Sequence, residues 1–400
     1  MRILFLTHRL PYAPNRGDRL RAYHILQWLR QRASVTLVSF VHSNDEAAHV
    51  EDMRSLVTSV TAVRVPVIRN HLRALATLAT EAPLTHALLD ARGMPAIFNQ
   101  IVGVDPPHVV FAFGSGMAQF ALRPPLSGLP LVLDLVDVDS RKWRDLAATA
   151  RFPLSWIYRR EARVLAAFES RAATLARATL VVNDREAALA SQLAPAGHVQ
   201  VLANGVDVAA LNPRRPATAR ARVVFCGVMN YAPNDQGVRW FVKEVWPLVR
   251  AQRPDATLAI VGSDPRPGLT ALCAADNSIE ITGRVADVRE QLWNSAVAIA
   301  PLLVARGVQN KALEAIAAGL PIVVTSAVAD GLPSQTRPAI TIADGAGVFA
   351  QGVVNLLAMS PDARRAVAAS ANLSQLEWAT TLEPLTRVLA AAASMSSHEP

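Results

Sequence analysis

One segment of the sequence combines the residue types that bind phosphate groups. It runs from Gly307 through Lys311 and Glu314 to Gly319 and Pro321, with small residues before the last two. A glycine lets the backbone approach a ligand closely, and the N–H groups that open a helix favour an anion. Lys311 adds a positive charge near that helix start, and Glu314, three residues later, lies on the same face.

Two interpretations of this segment, residues 307–321, are open. It is either an ordinary αβ unit, ended by Gly319 and Pro321, or a site for a nucleoside diphosphate. In the second interpretation the helix start and Lys311 hold the phosphates, and the Glu314 carboxylate accepts hydrogen bonds from sugar or ribose hydroxyls.

The elements that must position this segment follow from apolar runs that alternate with helical segments. This pattern is typical of parallel sheets covered by helices on both faces. The predicted strands are Ile3–Leu6, Val35–Phe40, Ala62–Val67, Val109–Phe113, Leu131–Leu135, Thr179–Val182, Val199–Leu202, Val223–Cys226, Thr257–Val261, Ile279–Ile281, Val297–Pro301, Ile322–Thr325 and Ile340–Ile342. Two such series predict two doubly wound α/β domains, with a ligand beyond the carboxyl ends of the strands, in a cleft.

The two series break at segment 211–218, which is Pro-rich and basic like a linker. We therefore predict a first Rossmann-like domain over 1–210 and a second over 211–375. Residues 376–400 are predicted to form a helix that can cross back to the first domain, followed by a disordered tail from Ser394.

The composition fits a globular protein with anionic partners. Of the 400 residues, 51% are hydrophobic, and the formal net charge is +8, which favours phosphates, anionic lipid or nucleic acid. The two cysteines, Cys226 and Cys273, indicate a reducing compartment such as the cytoplasm. The first residues predict a strand better than a signal peptide, and no stretch has the roughly 18 uncharged residues of a membrane span.

A basic segment with aromatic residues, from Trp156 to Arg171, is predicted to form a long helix. This helix could lie on an anionic membrane surface as a peripheral contact. Alternatively, it could be a solvated helix that buries its leucine and phenylalanine face. The sequence leaves both interpretations open.

Several segments together resemble the family 4 glycosyltransferases of the GT-B fold. Segment 307–321 resembles their donor-binding signature, in which a Glu-x7-Glu pattern precedes small residues and Gly-x-Pro. Segments 201–207, 225–237 and 281–288 resemble the turn that closes the first domain, the first donor-domain loop and the loop beside the nucleotide base. Segment 6–24 is similar to the bacterial exopolysaccharide-associated sugar transferases found with PEP-CTERM sorting systems.

The sequence departs from this family pattern at three places. Arg306 stands where the first Glu of the pattern would fall, so a contact to the donor sugar is either lost or replaced by a cation. The basic pair of the first donor-domain loop is missing, and Asn230 and Asn234 stand nearby. The family's His-Asp pair at the end of an acceptor-domain strand corresponds to Val136 and Asp137.

The resemblance implies a GT-B enzyme with two Rossmann-like domains facing a cleft. It implies retaining transfer of a sugar from a nucleoside diphosphate sugar to a hydroxyl acceptor, a glycan or polyprenyl-linked glycan of exopolysaccharide biosynthesis. It also implies no metal, no cofactor beyond the nucleotide-sugar co-substrate, and a cytoplasmic protein that contacts the inner membrane face. Charge grows on the leaving diphosphate during such a reaction, and fixed amides and an ammonium stabilise it.

The residues predicted to carry this reaction fall into three groups. The predicted catalytic residues are Lys311, Glu314 and Asp137, of which Asp137 would orient an acceptor hydroxyl. The predicted donor-binding residues are Gly227, Asn230, Gly283, Arg284, Val285, Arg306, Gly307, Val308, Gln309, Asn310, Lys311 and Glu314. The predicted acceptor-binding residues are Arg16, Gly17, Asp18 and Arg19.

Two acidic motifs have competing interpretations. Asp137 and Asp139 follow an apolar strand and could hold Mg²⁺ or Mn²⁺, as hard oxygen ligands do. However, Asp139 with Ser140 also fits the N-cap of the next helix, which is the interpretation that we favour. A Glu-x7-Glu spacing at Glu161 and Glu169 has no small-residue run or Gly-x-Pro after it, so we attribute it to chance.

Other classes of function have weaker support. Gly114-Ser-Gly116 imitates a dinucleotide fingerprint, but Gln119 replaces its third glycine. No Cys or His spacing fits zinc, and no nucleic-acid-binding signature is visible, so we expect no specific nucleic acid partner. A GT-B epimerase or phosphorylase, and a non-catalytic protein that binds nucleotide sugar or nucleic acid, stay open as alternatives.

Overall fold

The computed structural model describes residues 1–12, 17–214, 216–305 and 307–394. Contacts between residues divide the chain into two compact units. The first unit comprises Met1–Ala203 and the segment from Thr381 onward, and the second comprises Asn204–Thr380. The chain therefore leaves the first unit for the second and returns to it near its C-terminal end.

Seven strands of the described chain form the sheet of the first unit, and all neighbours are parallel. They are β1 (Arg2–Thr7), β2 (Ser34–Val41), β3 (Ser59–Arg64), β4 (Val109–Phe113), β5 (Leu131–Val136), β6 (Ala178–Val181) and β7 (Val199–Val201). Their order is β3-β2-β1-β4-β5-β6-β7, so the direction of winding reverses between β1 and β4. The central strands are apolar and buried because helices cover both faces of the sheet.

Helices connect these strands. They are α1 (Gly17–Leu29), α2 (Asn44–Ala48), α3 (Val50–Arg54), α4 (Val67–Thr77), α5 (Leu84–Leu88), α6 (Met94–Val104), α7 (Ser115–Ala121), α8 (Asp139–Thr149), α9 (Leu154–Leu175) and α10 (Asp184–Leu193). The longest is α9, which packs along α8 and also contacts β5.

The second unit repeats this architecture with six parallel strands among its described residues. They are β8 (Arg222–Cys226), β9 (Thr257–Val261), β10 (Ile279–Gly283), β11 (Val297–Ala300), β12 (Ile322–Val324) and β13 (Ile340–Ile342). Their order is β10-β9-β8-β11-β12-β13, so winding reverses between β8 and β11. Carboxyl ends of parallel strands meet at one edge of a sheet, and such a reversal opens a crevice there.

Helices and short non-α turns connect and follow the strands of the second unit. The helices are α11 (Val208–Leu211), α12 (Ala232–Trp240), α13 (Trp246–Gln252), α14 (Pro267–Cys273), α15 (Val288–Trp293), α16 (Asn310–Ala317), α17 (Ser326–Ala329), α18 (Ala346–Ala358), α19 (Pro361–Ala369) and α20 (Trp378–Thr381). A π-helical turn, Phe241–Val245, joins α12 to α13, and 3₁₀ turns lie at Ser334–Ala339 and Ser374–Leu376. The rings of Phe241 and Phe349 meet edge to face at 5.7 Å inside this core.

The last described helix, α21 (Pro384–Ser394), packs with the first unit. It contacts β4 and β5 and buries Leu385, Val388 and Leu389. The predicted disordered tail begins at Ser394, which is wrong for that residue because it is the last residue of α21. The rest of the predicted tail, 395–400, lies outside the described part of the chain.

The predicted strands all correspond to strands of the structure, and the prediction of two Rossmann-like α/β domains with parallel sheets is confirmed. The largest difference between a predicted and an observed strand concerns β3, which ends at Arg64 rather than at Val67. Pro66 lacks the N–H that a strand ladder needs, and Val67 already begins α4. The described residues of segment 211–218 lie inside the second unit, where the Leu211 carbonyl accepts a hydrogen bond from the indole N–H of Trp293.

The predicted basic helix corresponds to α9, in which Arg160, Glu161 and Glu169 are buried whereas Arg159, Arg163 and Arg171 are exposed. The Arg160 guanidinium donates to the carbonyls of Leu78 (3.1 Å) and Ala82 (3.0 Å). The Glu161 carboxylate accepts from the backbone N–H groups of Leu84 (2.8 Å) and Thr85 (3.0 Å), at the start of α5. These residues hold the segment that precedes and opens α5. Among the described helices, none is long and apolar enough to cross a membrane.

Candidate functional site

The carboxyl ends of β8 and β11 lie side by side where winding reverses in the second sheet. After β8 the chain continues through Gly227 to α12, and after β11 it continues through a loop to α16. Gly307 in this loop has a φ of 57°, a left-handed conformation that glycine adopts without steric cost. The topology therefore directs the first turn of α16 to the crevice of this sheet.

The start of α16 is held by a long-range contact. The buried Asn204 side chain donates from Nδ2 to Oδ1 of Asn310 at 3.1 Å. No side-chain hydrogen bond from Gln309 caps the helix. Its first amides therefore remain suitable for an anion, since the helix dipole is positive at this end.

Lys311 lies in the first turn of α16 and reaches back to β8. Its Nζ donates to Oδ1 of Asn234 at 2.6 Å and lies 4.6 Å from the centre of the Phe225 ring. The amide and the ring face stabilise the ammonium without neutralising it. Burial nevertheless lowers the pKa of Lys311 to about 8, so this side chain is mostly charged at neutral pH.

Gly227 leaves the room that Lys311 needs. A Cβ atom at this position would lie 2.8 Å from Nδ2 of Asn234 and 3.1 Å from Nζ of Lys311. Any side chain at Gly227 would therefore displace the two groups that meet beside the strand end.

Glu314 lies one helical turn beyond Lys311, close enough for the two charges to interact. Burial raises the pKa of Glu314, while Lys311 lowers it. The Cys226 thiol belongs to the same group, and burial raises its pKa to about 12, so it stays neutral. Among its described residues the site thus contains one cation, one carboxyl group and a neutral thiol, between the end of β8 and the first turns of α16.

The other predicted donor-binding residues are more dispersed along this edge. Asn230 is exposed, and its carbonyl accepts from Arg266. Gly283 ends β10, which β9 separates from β8; the next residue, Arg284, is exposed, and Val285 packs against the core.

Two further donor-binding predictions concern the loop before α16. Val308 packs against the core of the second unit. Arg306 lies outside the described residues. The structure therefore brings together Gly227, Lys311 and Glu314. Asn230 and the residues after β10 lie at the same edge of the sheet, but no contact among the described residues joins them to these three.

The sequence prediction missed three residues of the site. Asn234 and Phe225 contact Lys311, and Asn204 contacts Asn310. Each of the three lies within a segment that resembles the glycosyltransferase family, so the resemblance could have pointed to it. The contacts themselves, however, join residues that are far apart in the chain, which motif spacing does not relate.

Asp137 follows β5 in the first unit, beside a strained residue. Val136 has a φ of 66°, which is unusual for a β-branched residue, and the pairing register with β6 shifts at this point. Burial raises the pKa of Asp137 to about 7, and the carboxylates of Glu186 and Asp139 contribute to the rise. Its Oδ1 has no hydrogen-bond partner among the described residues.

The capping role predicted for Asp139 is wrong. The residue before α8 is Val138, and Asp139 accepts instead from the Ser115 hydroxyl at 3.0 Å. The N–H of Val138 donates to Glu186 at 2.9 Å, and that of Ser140 donates to Glu169 at 3.3 Å. Carboxylates from distant helices thus satisfy these amides. Among the described residues, no group of three His, Cys, Asp or Glu could hold a metal ion.

The predicted acceptor-binding residues lie at the start of α1. Arg16 is outside the described residues, and Gly17 and Asp18 open the helix. Arg19 pairs with the buried Glu46, which also accepts from Arg9 at 2.9 Å. The structure therefore gives Arg19 a local role in joining α1 to α2.

The Glu-x7-Glu spacing and the imitation of a dinucleotide fingerprint have structural explanations. Glu161 and Glu169 are both fully buried and accept backbone hydrogen bonds. Gln119 is also buried, and its amide donates to the carbonyls of Leu89 and Gly116, both at 2.9 Å.

Comparisons with known proteins agree with this architecture. Residues 220–359 match the model of a family described as Glycosyl transferases group 1. Similar solved structures include HepE from Anabaena in complex with UDP, 16% identical over 98% of this chain and 100% of that chain, with a TM-score of 0.67. None of the curated proteins that were compared matches the chain.

Two further solved structures share the fold. Sucrose-phosphate synthase from Thermosynechococcus elongatus is 15% identical over 98% of this chain and 100% of that chain, with a TM-score of 0.70. WaaG, a glycosyltransferase involved in lipopolysaccharide biosynthesis, is 17% identical over 99% and 100%, with a TM-score of 0.62. The chain thus has the GT-B fold, as predicted, and the match of residues 220–359 to a glycosyltransferase model supports the predicted family.

Proposed function

We propose that this chain is a retaining glycosyltransferase that moves a sugar from a nucleoside diphosphate sugar to a hydroxyl acceptor. The position of Lys311 carries the proposal. Its ammonium lies in the first turn of α16, at the strand ends where winding reverses, beside helix amides that suit an anion. A diphosphate satisfies both the cation and the amides.

In the proposed reaction the bond between the anomeric carbon and the diphosphate oxygen breaks while the acceptor oxygen bonds to that carbon. The acceptor oxygen bonds on the face from which the diphosphate leaves, so the configuration is retained. The acceptor hydroxyl gives its proton to an oxygen of the diphosphate, which leaves with the electron pair of the broken bond. Lys311 and the backbone amides between Gly307 and Asn310 stabilise the charge that grows on the diphosphate. Asn234 holds the ammonium in place, so little rearrangement is needed as this charge develops.

The proposed donor is a UDP-sugar. HepE, which shares the fold, has been crystallised with UDP and with UDP-glucose. In this chain Glu314 would accept hydrogen bonds from ribose or sugar hydroxyls, and Gly283 to Val285 would border the base. The reaction as proposed requires no metal.

The proposed acceptor is a lipid-linked glycan of exopolysaccharide biosynthesis, bound by the first unit, with the protein at the inner membrane surface. Asp137 would orient the acceptor hydroxyl, since one oxygen of this carboxyl group lacks a hydrogen-bond partner among the described residues. The residues that open α1 would contribute further contacts to the acceptor.

A ligand screen tests the proposal directly. The purified full-length protein would be titrated calorimetrically with UDP, GDP, ADP and their glucose conjugates, and hydrolysis and transfer of a radiolabelled sugar would then be followed. We expect one nucleotide series to bind, with slow release of the sugar or its transfer to a polyprenyl-linked glycan. Binding without any turnover would indicate a binding-only protein, and conversion of the sugar nucleotide to an epimer would indicate an epimerase.

A further inference from the structure

The first unit contains a cavity of about 340 Å³ between α4, α5, α7 and α9. All its lining residues belong to the first unit: Arg73, Thr77, Ala82, Pro83, His86, Ala87, Asp90, Gln119, Leu122, Arg123, Phe168 and Arg171. A volume of this size is within the range of small-molecule sites.

The floor of the cavity is buried and well fixed. His86 and Gln119 are only 7% and 3% exposed, and the Gln119 amide is held by two backbone carbonyls. The Phe168 ring meets the His86 ring edge to face, with centroids 4.2 Å apart. Nε2 of His86 has no hydrogen-bond partner among the described residues. This floor offers the ring of Phe168 to an apolar group and Nε2 of His86 to a hydrogen bond.

The arginines around the cavity give it a positive charge. Asp90 is already paired with Arg73 and with the neighbouring Arg69. Arg123 and Arg171 are exposed, and neither forms an ion pair with a described residue. His86 does not add charge at neutral pH, because burial, with help from the Arg123 guanidinium, lowers its pKa to about 4. Two guanidinium groups thus remain available to an anion.

We propose that this cavity binds a phosphate ester, with the phosphate on Arg123 and Arg171 and an apolar group on Phe168 and the residues around it. Guanidinium groups present paired N–H donors that match the oxygens of a phosphate. The apolar walls, which include Ala87 and Leu122, would pack against the apolar group of the ester.

The cavity is separate from the Asp137 region of the same unit. Helix α7 begins at the carboxyl edge of the sheet, where Ser115 contacts Asp139, and then runs back toward the opposite edge. Its end, with Gln119, and the following Arg123 line the cavity. The phosphate ester therefore occupies a second site, which does not depend on the proposed transfer reaction.

Calorimetry with phenyl phosphate tests this site, because the compound joins a phosphate ester to an apolar ring. The full-length protein would be compared with the double variant R123Q/R171Q and with the control R30Q/R387Q, which removes two exposed arginines elsewhere in the first unit. We expect the affinity for phenyl phosphate to fall about tenfold or more in R123Q/R171Q and to stay unchanged in the control. Phenol should bind to neither variant nor the wild type.

The variant Lys311→Ala distinguishes binding in the cavity from binding at the proposed donor site. It should still bind phenyl phosphate, because Lys311 does not line the cavity. Sugar transfer should be unchanged in R123Q/R171Q, so the two proposals can fail independently. Equal affinity for phenyl phosphate in wild type and R123Q/R171Q, with thermal unfolding confirming that the variant is folded, would overturn the site.

A lipid arm identifies the source of the phosphate. Near this cavity α4 exposes Ile68 (82%), Leu72 (66%) and Leu75 (64%), an apolar face that could rest on a bilayer. The wild-type protein would be sedimented with vesicles of phosphatidylcholine containing phosphatidylglycerol. Sedimentation that R123Q/R171Q loses and that phenyl phosphate competes away would identify a lipid headgroup as the phosphate source. Phenyl phosphate binding without sedimentation would identify a soluble ester. If R123Q/R171Q still sediments with vesicles and the wild type does not bind phenyl phosphate, the proposed cavity site is rejected.

Discussion

The two sheets reverse their winding in the same way, yet the residues that follow their central strands carry opposite charges. In the second unit Lys311 reaches the end of β8, whereas in the first unit Asp137 and Asp139 follow β5, next to β4. A cation at one edge suits a diphosphate, and carboxylates at the other suit a neutral hydroxyl compound. We therefore propose that one topology serves two kinds of ligand, and that the residues after the strands decide which.

Burial affects both edges in the same sense, toward the neutral form of each group. It lowers the pKa of Lys311 to about 8 and raises that of Asp137 to about 7. Both groups therefore change charge close to neutral pH, where small changes in their surroundings have large effects.

The largest effect is expected from Lys311→Ala. Loss of the ammonium should lower kcat for transfer by about 10²- to 10³-fold, because no other described side chain of this site carries a positive charge. The control Lys243→Ala removes an exposed lysine of the same unit and should leave kcat unchanged. If the Lys311→Ala variant is folded and turns over as fast as the wild type, Lys311 does not stabilise the diphosphate, and the proposed contrast between a cationic and an acidic edge is wrong.

Asp137→Asn is expected to act on the acceptor alone. It should lower transfer by about a hundredfold while UDP affinity, measured by calorimetry, stays the same. The control Asp45→Asn changes an exposed carboxylate of the first unit. An equal loss of UDP affinity would show that the acidic edge also holds the donor.

The same Asp137→Asn variant should not be less stable than the wild type. Since the folded pKa of Asp137, about 7, exceeds its ordinary value of 3.8, the folded state holds this proton more tightly. This contribution to stability is complete below about pH 4 and is lost as pH rises toward 7. Thermal unfolding at pH 8 should therefore give a Tm for Asp137→Asn equal to or above that of the wild type.

A smaller effect is expected from Glu314→Gln, about tenfold on kcat/KM. The Glu314 carboxylate raises the pKa of Lys311, so its removal should lower that pKa. For the wild type, kcat/KM should fall above about pH 8, and in Glu314→Gln the fall should begin at lower pH. An unchanged pH profile would show that the two side chains act independently.

The smallest effect is expected from metal removal. Treatment with EDTA should leave transfer intact, because the ammonium and the amides replace a metal at the diphosphate. A loss of activity that Mn²⁺ restores would give Asp137 and Asp139 a role in binding metal, and would make the acidic edge the donor site.

The sequence was sufficient for the strands because their apolar runs are local signals of burial. It placed β3 too late because the run continues through Val65 to Val67, and Pro66 divides strand from helix inside it. This edge strand is half-exposed, so its own pattern is weaker than that of β4, which was predicted to the residue.

The candidate site was predictable where its parts are close in sequence. Lys311 and Glu314 share one helix, so spacing alone relates them. The contact of Lys311 with Asn234, and the amides that Glu169 and Glu186 satisfy around α8, join residues on different helices. Such contacts depend on tertiary packing, which neither local propensity nor motif spacing encodes, and for this reason Asp139 was wrongly expected to act as a cap.

The return of the chain to the first unit at Thr381 makes the second unit an insertion within the first. During synthesis on a ribosome, the surfaces of β4 and β5 that α21 covers stay apolar and open to water until Pro384–Ser394 has been made. The second unit emerges whole before that moment. Completion of the first unit thus depends on a segment that is made after the whole second unit, and a nascent chain stopped at residue 380 would be prone to aggregate.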